Sequence, residues 1–262
     1  MIKIKSLVLI ILLVSSASIL ADEADPDDDT PKINHGPTYL PNDPRRPIDR
    51  LEHPEYNPIG IVQSHLGRGT GWLANDCIVW TAKHVLGRDK RVVGQSVKFY
   101  VGQGKPNENY EYLVNGVVVA SGNSDGEDPD GGAQDWAFIR LEKPIGRIVG
   151  HIAPAQYSVD DALTCKTLEA VGFPGEKEVG KLWGQVNCRL ISGDVTGFLV
   201  SCPVTPGESG GPLLCREPDG KLFAIGILNQ RIPDKEEGLA VNFTLEWQKI
   251  KAAYLKHRDT CQ

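Results

Sequence analysis

Beyond its first twenty residues the sequence holds no apolar run that approaches a membrane span, and nowhere does it cluster Lys and Arg. The first absence leaves only the N-terminus as a membrane-directed segment. The second, with a formal net charge of −6, removes the electrostatic basis for a nucleic-acid partner. No Cys-x-x-Cys pair occurs, so a zinc or dithiol redox site has no support, and neither metal nor cofactor is expected. Long helical periodicities are scarce as well. With 28 Gly and 18 Pro in 262 residues, short strands joined by turns, and hence a mostly β chain, are expected.

What is present starts with an export signal. Lys3 and Lys5 give the positive start, Leu7 to Val14 the apolar stretch, and Ser15 to Ala21 the small-residue end. That pattern suits a removable signal over 1–21, an uncleaved anchor being the competing reading. No cysteine follows the cut, which argues against a lipid anchor. A secreted protein, extracellular or periplasmic and off the membrane after cleavage, is expected. Six cysteines lie beyond the signal, at 77, 165, 188, 202, 215 and 261; an even number in an exported chain suggests disulfides.

Residues 22–39 read as an acidic leader or propeptide, since Asp22 to Asp29 is almost free of apolar side chains. Proline-rich sequence then runs to about Asn57, as extended chain on a surface or as a flexible leader. Strands are expected at 59–62, 69–73, 77–82, 91–93, 97–101, 110–119 and 135–141, from their β-branched and aromatic content. Between the last two, Ser121 to Gln134 carries Asp125, Glu127, Asp128 and Asp130. Its spacing fits no calcium loop and reads as a solvated turn. Glu142 to Asp161 looks like a linker between halves. The second half repeats the style at 165–172, 181–191, 196–202, 212–215 and 222–228. Near the end Leu245, Trp247, Ile250, Ala253 and Tyr254 share a helical face, with Thr244 as N-cap. The expected domain layout is 40–145 (extension and first barrel), 146–243 (linker and second barrel) and 244–262 (helix and tail).

The chemistry centres on Gly207-Glu208-Ser209-Gly210-Gly211-Pro212. Glycines around a serine permit turns that aim N–H groups at one point, as an oxyanion requires. The serine needs a base and the base an orienting group. Among six histidines, His84 directly follows an apolar strand, and Asp135 stands where another begins. The order His, Asp, Ser is one that serves such a triad. A G-x-S-x-G elbow of an α/β-hydrolase is the competitor. It needs a helix after the serine and a histidine well downstream; Pro212 opposes the helix, and only His257, in a terminal tail, follows.

Thr81-Ala82-Lys83-His84-Val85, Asp135-Trp136-Ala137-Phe138-Ile139 and Gly207-Glu208-Ser209-Gly210-Gly211-Pro212 resemble the three signature segments of chymotrypsin-like (trypsin-fold) serine proteases. Lys83, Val171 to Lys177 with Trp183, and Leu40 to Arg46 resemble the bacterial V8-like, glutamyl endopeptidase branch. The resemblance spans roughly 40–257 and implies an all-β fold of two six-stranded antiparallel barrels with a C-terminal α-helix. It implies His84 as general base and acid, Asp135 as its orienter, and Ser209 as nucleophile. The N–H groups of Gly207 and Ser209 would form the oxyanion hole, and the partners would be protein or peptide substrates; a monomer is expected separately. It also implies the disulfide Cys165–Cys215, with Cys188–Cys202 and Cys77–Cys261 completing the set.

In the glutamyl branch a threonine before the serine and a histidine in the following strand set specificity. Here Val204 or Thr205, and Leu228, take those places, and Pro203 stands where trypsin-like enzymes carry an aspartate. With Val204, Thr205 and Leu228 as the substrate pocket, a neutral or apolar P1 preference is expected. Glu208 occupies the place where zymogens use an aspartate to capture a new N-terminus, but no Ile-Val-Gly-Gly start exists, and a solvated or locally bonded Glu208 is expected. An active endopeptidase is favoured; a protease-like binding module with a blocked or immature cleft is the second function class.

Overall fold

The computed structural model describes residues 40, 42–87, 91–102, 111–123, 132–232 and 235–260. The signal, the acidic leader and the acidic core of the 121–134 loop lie outside the described residues. So does Cys261, and with it the Cys77–Cys261 expectation.

Strand β1 (Arg46–Pro47) precedes six strands that close a barrel: β2 (Ile59–Gln63), β3 (Arg68–Leu73), β4 (Ile78–Thr81), β5 (Ser96–Val101), β6 (Tyr112–Ser121) and β7 (Ala137–Leu141). Their order is β2-β3-β4-β7-β6-β5, and every pairing is antiparallel. β5 shows why such a sheet forms. Val97, Phe99 and Val101 alternate inward while Ser96 and Lys98 face water, the period of a half-buried strand. β4 instead is buried at every residue. The strand expected at 91–93 is absent: Val92 anchors a turn that Gly94 completes at φ +94°, a conformation that favours glycine.

The second half consists of β8 (Thr167–Gly172), β9 (Trp183–Cys188), β10 (Leu190–Gly193), β11 (Gly197–Val200), β12 (Pro212–Arg216), β13 (Leu222–Arg231) and β14 (Gly238–Asn242). With β1 they form an eight-stranded sheet in the order β1-β9-β8-β12-β13-β14-β11-β10. The single strand expected at 181–191 is two strands near opposite ends of this sheet. β9 and β10 are separated only by Arg189, so the sheet must curl until its flanks meet there. The bend uses Asn187 at φ +64° and is spanned by the Cys188–Cys202 disulfide. Cys165–Cys215 joins the entry of β8 to β12.

The connection 142–161 is not bare linker. It carries α1 (Gly146–Val149) and starts α2 (Val159–Leu163), the latter opened by a Ser158/Asp161 capping box.

Each terminal segment clasps the other half. β1 pairs with β9 of the second sheet, whereas the C-terminal helix α3 (Trp247–Arg258) packs on the first barrel. Trp80 meets Phe138 at 4.5 Å, Phe243 at 5.2 Å and Tyr254 at 5.7 Å between ring centroids. The Tyr254 hydroxyl donates to Ala74 O at 3.2 Å. Two helix-start expectations are corrected. Glu246, not Thr244, precedes the helix; the Thr244 hydroxyl donates instead to Tyr157 O, and Leu245 stays exposed ahead of the first turn.

Candidate active site

The site is assembled from three chain segments that end or begin at barrel strands. β4 runs through Thr81, and Ala82 stays extended before the chain tightens into a 3-10 turn over Lys83–Leu86. Gly87 ends that turn at φ +118°. The abrupt change carries His84 out of the sheet, about one quarter exposed, while neighbouring Lys83 is buried with its Nζ donating to Asn123 O.

Asp135 stands just ahead of β7 and is completely buried. Its two oxygens hold the same residue: Oδ2 lies 2.6 Å from His84 Nδ1, and Oδ1 accepts the His84 backbone N–H at 2.9 Å. A carboxylate on Nδ1 keeps the proton there and leaves Nε2 as the basic nitrogen.

Ser209 lies in the turn Thr205–Gly211, which the two halves hold jointly. From the first barrel, Thr70 N–H donates to Ser209 O at 2.8 Å and Thr70 Oγ1 to Gly207 O at 2.7 Å. Thr81 Oγ1 in turn donates to Thr70 O at 2.7 Å. From the second, Gly210 N–H reaches Leu228 O, and Leu228 N–H returns to Gly211 O, each at 2.7 Å. Gly207 and Gly210 adopt φ of +98° and +85°; a Cβ at Gly210 would lie 2.2 Å from Thr70 O and from Thr81 Oγ1. Only glycine fits that approach.

Among the described residues, the N–H groups of Gly207 and Ser209 donate to no acceptor. Among the described residues, Ser209 Oγ hydrogen-bonds to Asn229 O alone, at 3.1 Å, and not to His84. Catalytic hydrogen bonds of this kind often tighten only in the transition-state complex.

Glu208, between Gly207 and Ser209, is neither solvated nor satisfied only locally. It is 1% exposed, and Arg45, itself 2% exposed, reaches its Oε2 through Nη1 at 2.5 Å. Thr205 N–H also donates to Oε2, at 2.8 Å. The other Arg45 nitrogens engage Asp43 and Glu176, and Lys177 bonds Asp43 at 2.7 Å. Burial works to raise the Asp43 carboxyl, but hydrogen bonds from Arg45 and Lys177 outweigh it and hold that carboxyl well below the ordinary range. For Glu208 burial wins: its carboxyl is pushed up to about 7 against the opposing charge of Arg45.

Val204 and Leu228 sit in the second core, and Thr205 in the charge cluster; none exposes more than 1% of its surface. A Cβ on Gly238 would come 2.4 Å from Val204 Cγ2, so Val204 fills the space over that strand. Sequence reading missed Thr70 and the role of Arg45. A threonine between Gly69 and Gly71, and one arginine of a pair flanked by prolines, carry no local sign of contacts more than 100 residues away.

The sequence model of the family described as Trypsin matches residues 52–249. The glutamyl endopeptidase of Bacillus licheniformis is 25% identical over 180 residues, 67% of this chain and 54% of the relative. The chain therefore spans about half the length of that curated relative. The solved structure of Glu endopeptidase in complex with MPD has the same fold, with a TM-score of 0.64 at 20% identity, covering 82% of this chain and 98% of that one.

Proposed function

The chain belongs to the trypsin family, and on that premise we propose that it is a secreted serine endopeptidase working through an acyl-enzyme on Ser209. The observation that carries this reading is the doubly held His84–Asp135 pair beside a glycine-framed Ser209 whose turn, among the described residues, leaves the Gly207 and Ser209 N–H groups unpaired.

In the proposed reaction, His84 Nε2 takes the proton from Ser209 Oγ as Oγ attacks the peptide carbonyl. The Gly207 and Ser209 N–H groups receive the developing oxyanion, each such donor contributing about 2.7–4 kcal/mol. The imidazolium, stabilised by Asp135, hands its proton to the leaving amine. Water, deprotonated by the same nitrogen, then hydrolyses the acyl-enzyme and regenerates Ser209. The export signal over 1–21, removal of the acidic leader and the monomeric state belong to the same proposal; the disulfides support an oxidising compartment.

A neutral or apolar P1 residue fits best. Val204, Thr205 and Leu228 are buried and present no charge to a substrate, and Arg45, the cation at Thr205, is already occupied by carboxylates. A peptide-library profile dominated by Glu, Lys or Arg would refute this preference.

The hydrogen bond from Ser209 Oγ to Asn229 O favours a second reading, a binding module whose serine is held away from its base. One experiment separates the two. A serine-directed fluorophosphonate should form an adduct on Ser209, located by mass spectrometry, and Ser209→Ala should abolish both adduct and peptidase activity without unfolding. An unlabelled Ser209 in folded, leader-free protein supports the binding module.

A further inference from the structure

Glu208 presents a physical problem: a carboxylate sealed from water immediately before the nucleophile. Unpaired, such a group would be expelled or protonated, and the turn that carries it would move with it. Gly207 and Gly210 hold the turn at positive φ, conformations that favour glycine.

The cation that resolves this comes from far away in sequence. Asp43 to Ile48 forms a strap along the second sheet, fixed by the β1–β9 pairing and by Ile48 N–H to Leu182 O at 2.9 Å. Its Arg45 turns inward, preset by Asp43 Oδ1, which accepts both Arg45 N–H and Nε–H. Inside, the guanidinium bonds Glu208, Glu176 and Thr205 Oγ1 together. Thr205 Oγ1 accepts from Arg45 and lies 3.0 Å from both Glu176 and Glu208; with one proton it can donate to only one of them at a time. Three carboxylates (Asp43, Glu176, Glu208) thus face two cations (Arg45, Lys177).

We propose that Arg45 is a positioning residue for catalysis: its buried guanidinium holds Glu208 in place and through it keeps the Gly207–Ser209 N–H groups arranged to receive an oxyanion. The inference rests on the hydrolase reading given above. The strut is internal to the chain, so the charge on Glu208 is met without a newly freed α-amino group. It acts on the turn and not on substrate, so its loss is read in turnover and not in binding.

The test compares Arg45→Gln with Arg46→Gln, the exposed neighbour whose guanidinium, among the described residues, bonds only backbone carbonyls, in the leader-free protein that keeps the Asp43–Ile48 strap. Arg45→Gln is expected to lower kcat about 100-fold, the scale of one lost oxyanion donor, with KM within about threefold. Its acid limb in kcat/KM should move to higher pH, because Glu208 loses its cation. Arg46→Gln should stay within about twofold of wild type on both constants. A folded Arg45→Gln with wild-type kcat overturns the strut.

Should Arg45→Gln fail to fold, the double variant Arg45→Gln/Glu208→Gln removes the stranded charge and keeps the shapes. Lost turnover in that folded protein supports the inference, and full turnover overturns it. Fluorophosphonate labelling of wild type tells the two failures apart. A labelled wild type with equally labelled Arg45 variants sinks only the strut, whereas an unlabelled wild type sinks the hydrolase reading and the strut with it.

Discussion

Asp135 holds His84 at two points, ring and backbone, with one oxygen for each: Nδ1 at 2.6 Å and the main-chain N–H at 2.9 Å. The carboxylate is fully buried, so these contacts define both the place and the tautomer of the imidazole. An amide cannot reproduce this, because only one of its two heads accepts. Asp135→Asn must either abandon the backbone N–H or turn its NH₂ toward Nδ1 and drive the proton to Nε2. It is expected to lose about 10⁴-fold in kcat. Steady-state kinetics on a folded variant check this, and a loss under tenfold would contradict the assigned geometry.

Gly210 and Gly220 separate backbone preference from close packing. Both adopt left-handed φ, +85° and +90°, but a Cβ has open space at Gly220 and would strike Thr70 O and Thr81 Oγ1 at Gly210. Gly220→Ala is therefore expected to cost about 1 kcal/mol with full activity retained. Gly210→Ala should cost more and abolish the activity proposed for Ser209. Urea denaturation with parallel activity assays reads both, and equal behaviour of the two variants is the contrary result.

Glu208 gives a pH dependence of defined sign. Burial raises its carboxyl from the ordinary 4.5 to about 7, so between those values the native state keeps a proton that the unfolded chain has released. Its contribution to stability is then full below about pH 4.5 and is lost as pH rises through about 7. The Tm of wild type minus that of Glu208→Gln should fall across this window. A difference that rises instead would mark a carboxyl held below its ordinary value.

The Cys165–Cys215 bridge closes a loop with a sequence separation of 50 and ends in the strand that follows Ser209. Replacing both cysteines with serine should cost about 4 kcal/mol, by the loop-closure entropy restored to the unfolded chain. Guanidinium titration of the double variant measures it. Retained Ser209 labelling in the folded fraction is expected, since the bridge stabilises the barrel and touches no reacting atom.

The sequence by itself determined the local pieces. β-branched runs such as Ile78–Thr81 and the alternation in Ser96–Val101 encode strands. His84 and Asp135 could be picked out because each sits where such a run stops or starts, and Ser209 because glycines frame it. Those signals depend on a few neighbouring residues. The tertiary structure alone decided the rest. Arg45, in a proline-rich strap, gives no sign in its own stretch of chain that it will be buried against Glu208, 163 residues on. Nor does Thr70, in its strand, announce that it will hold Gly207 and Ser209. The split of 181–191 at Arg189 likewise follows from the different partners that its two pieces find, β8 for one and β11 for the other. Burial and long-range pairing are properties of the closed fold, in which distant segments become each other's solvent. His84, Asp135 and Ser209 could be singled out from short stretches of chain, while the contacts that hold the turn around Ser209 arise only when both halves and the N-terminal strap meet.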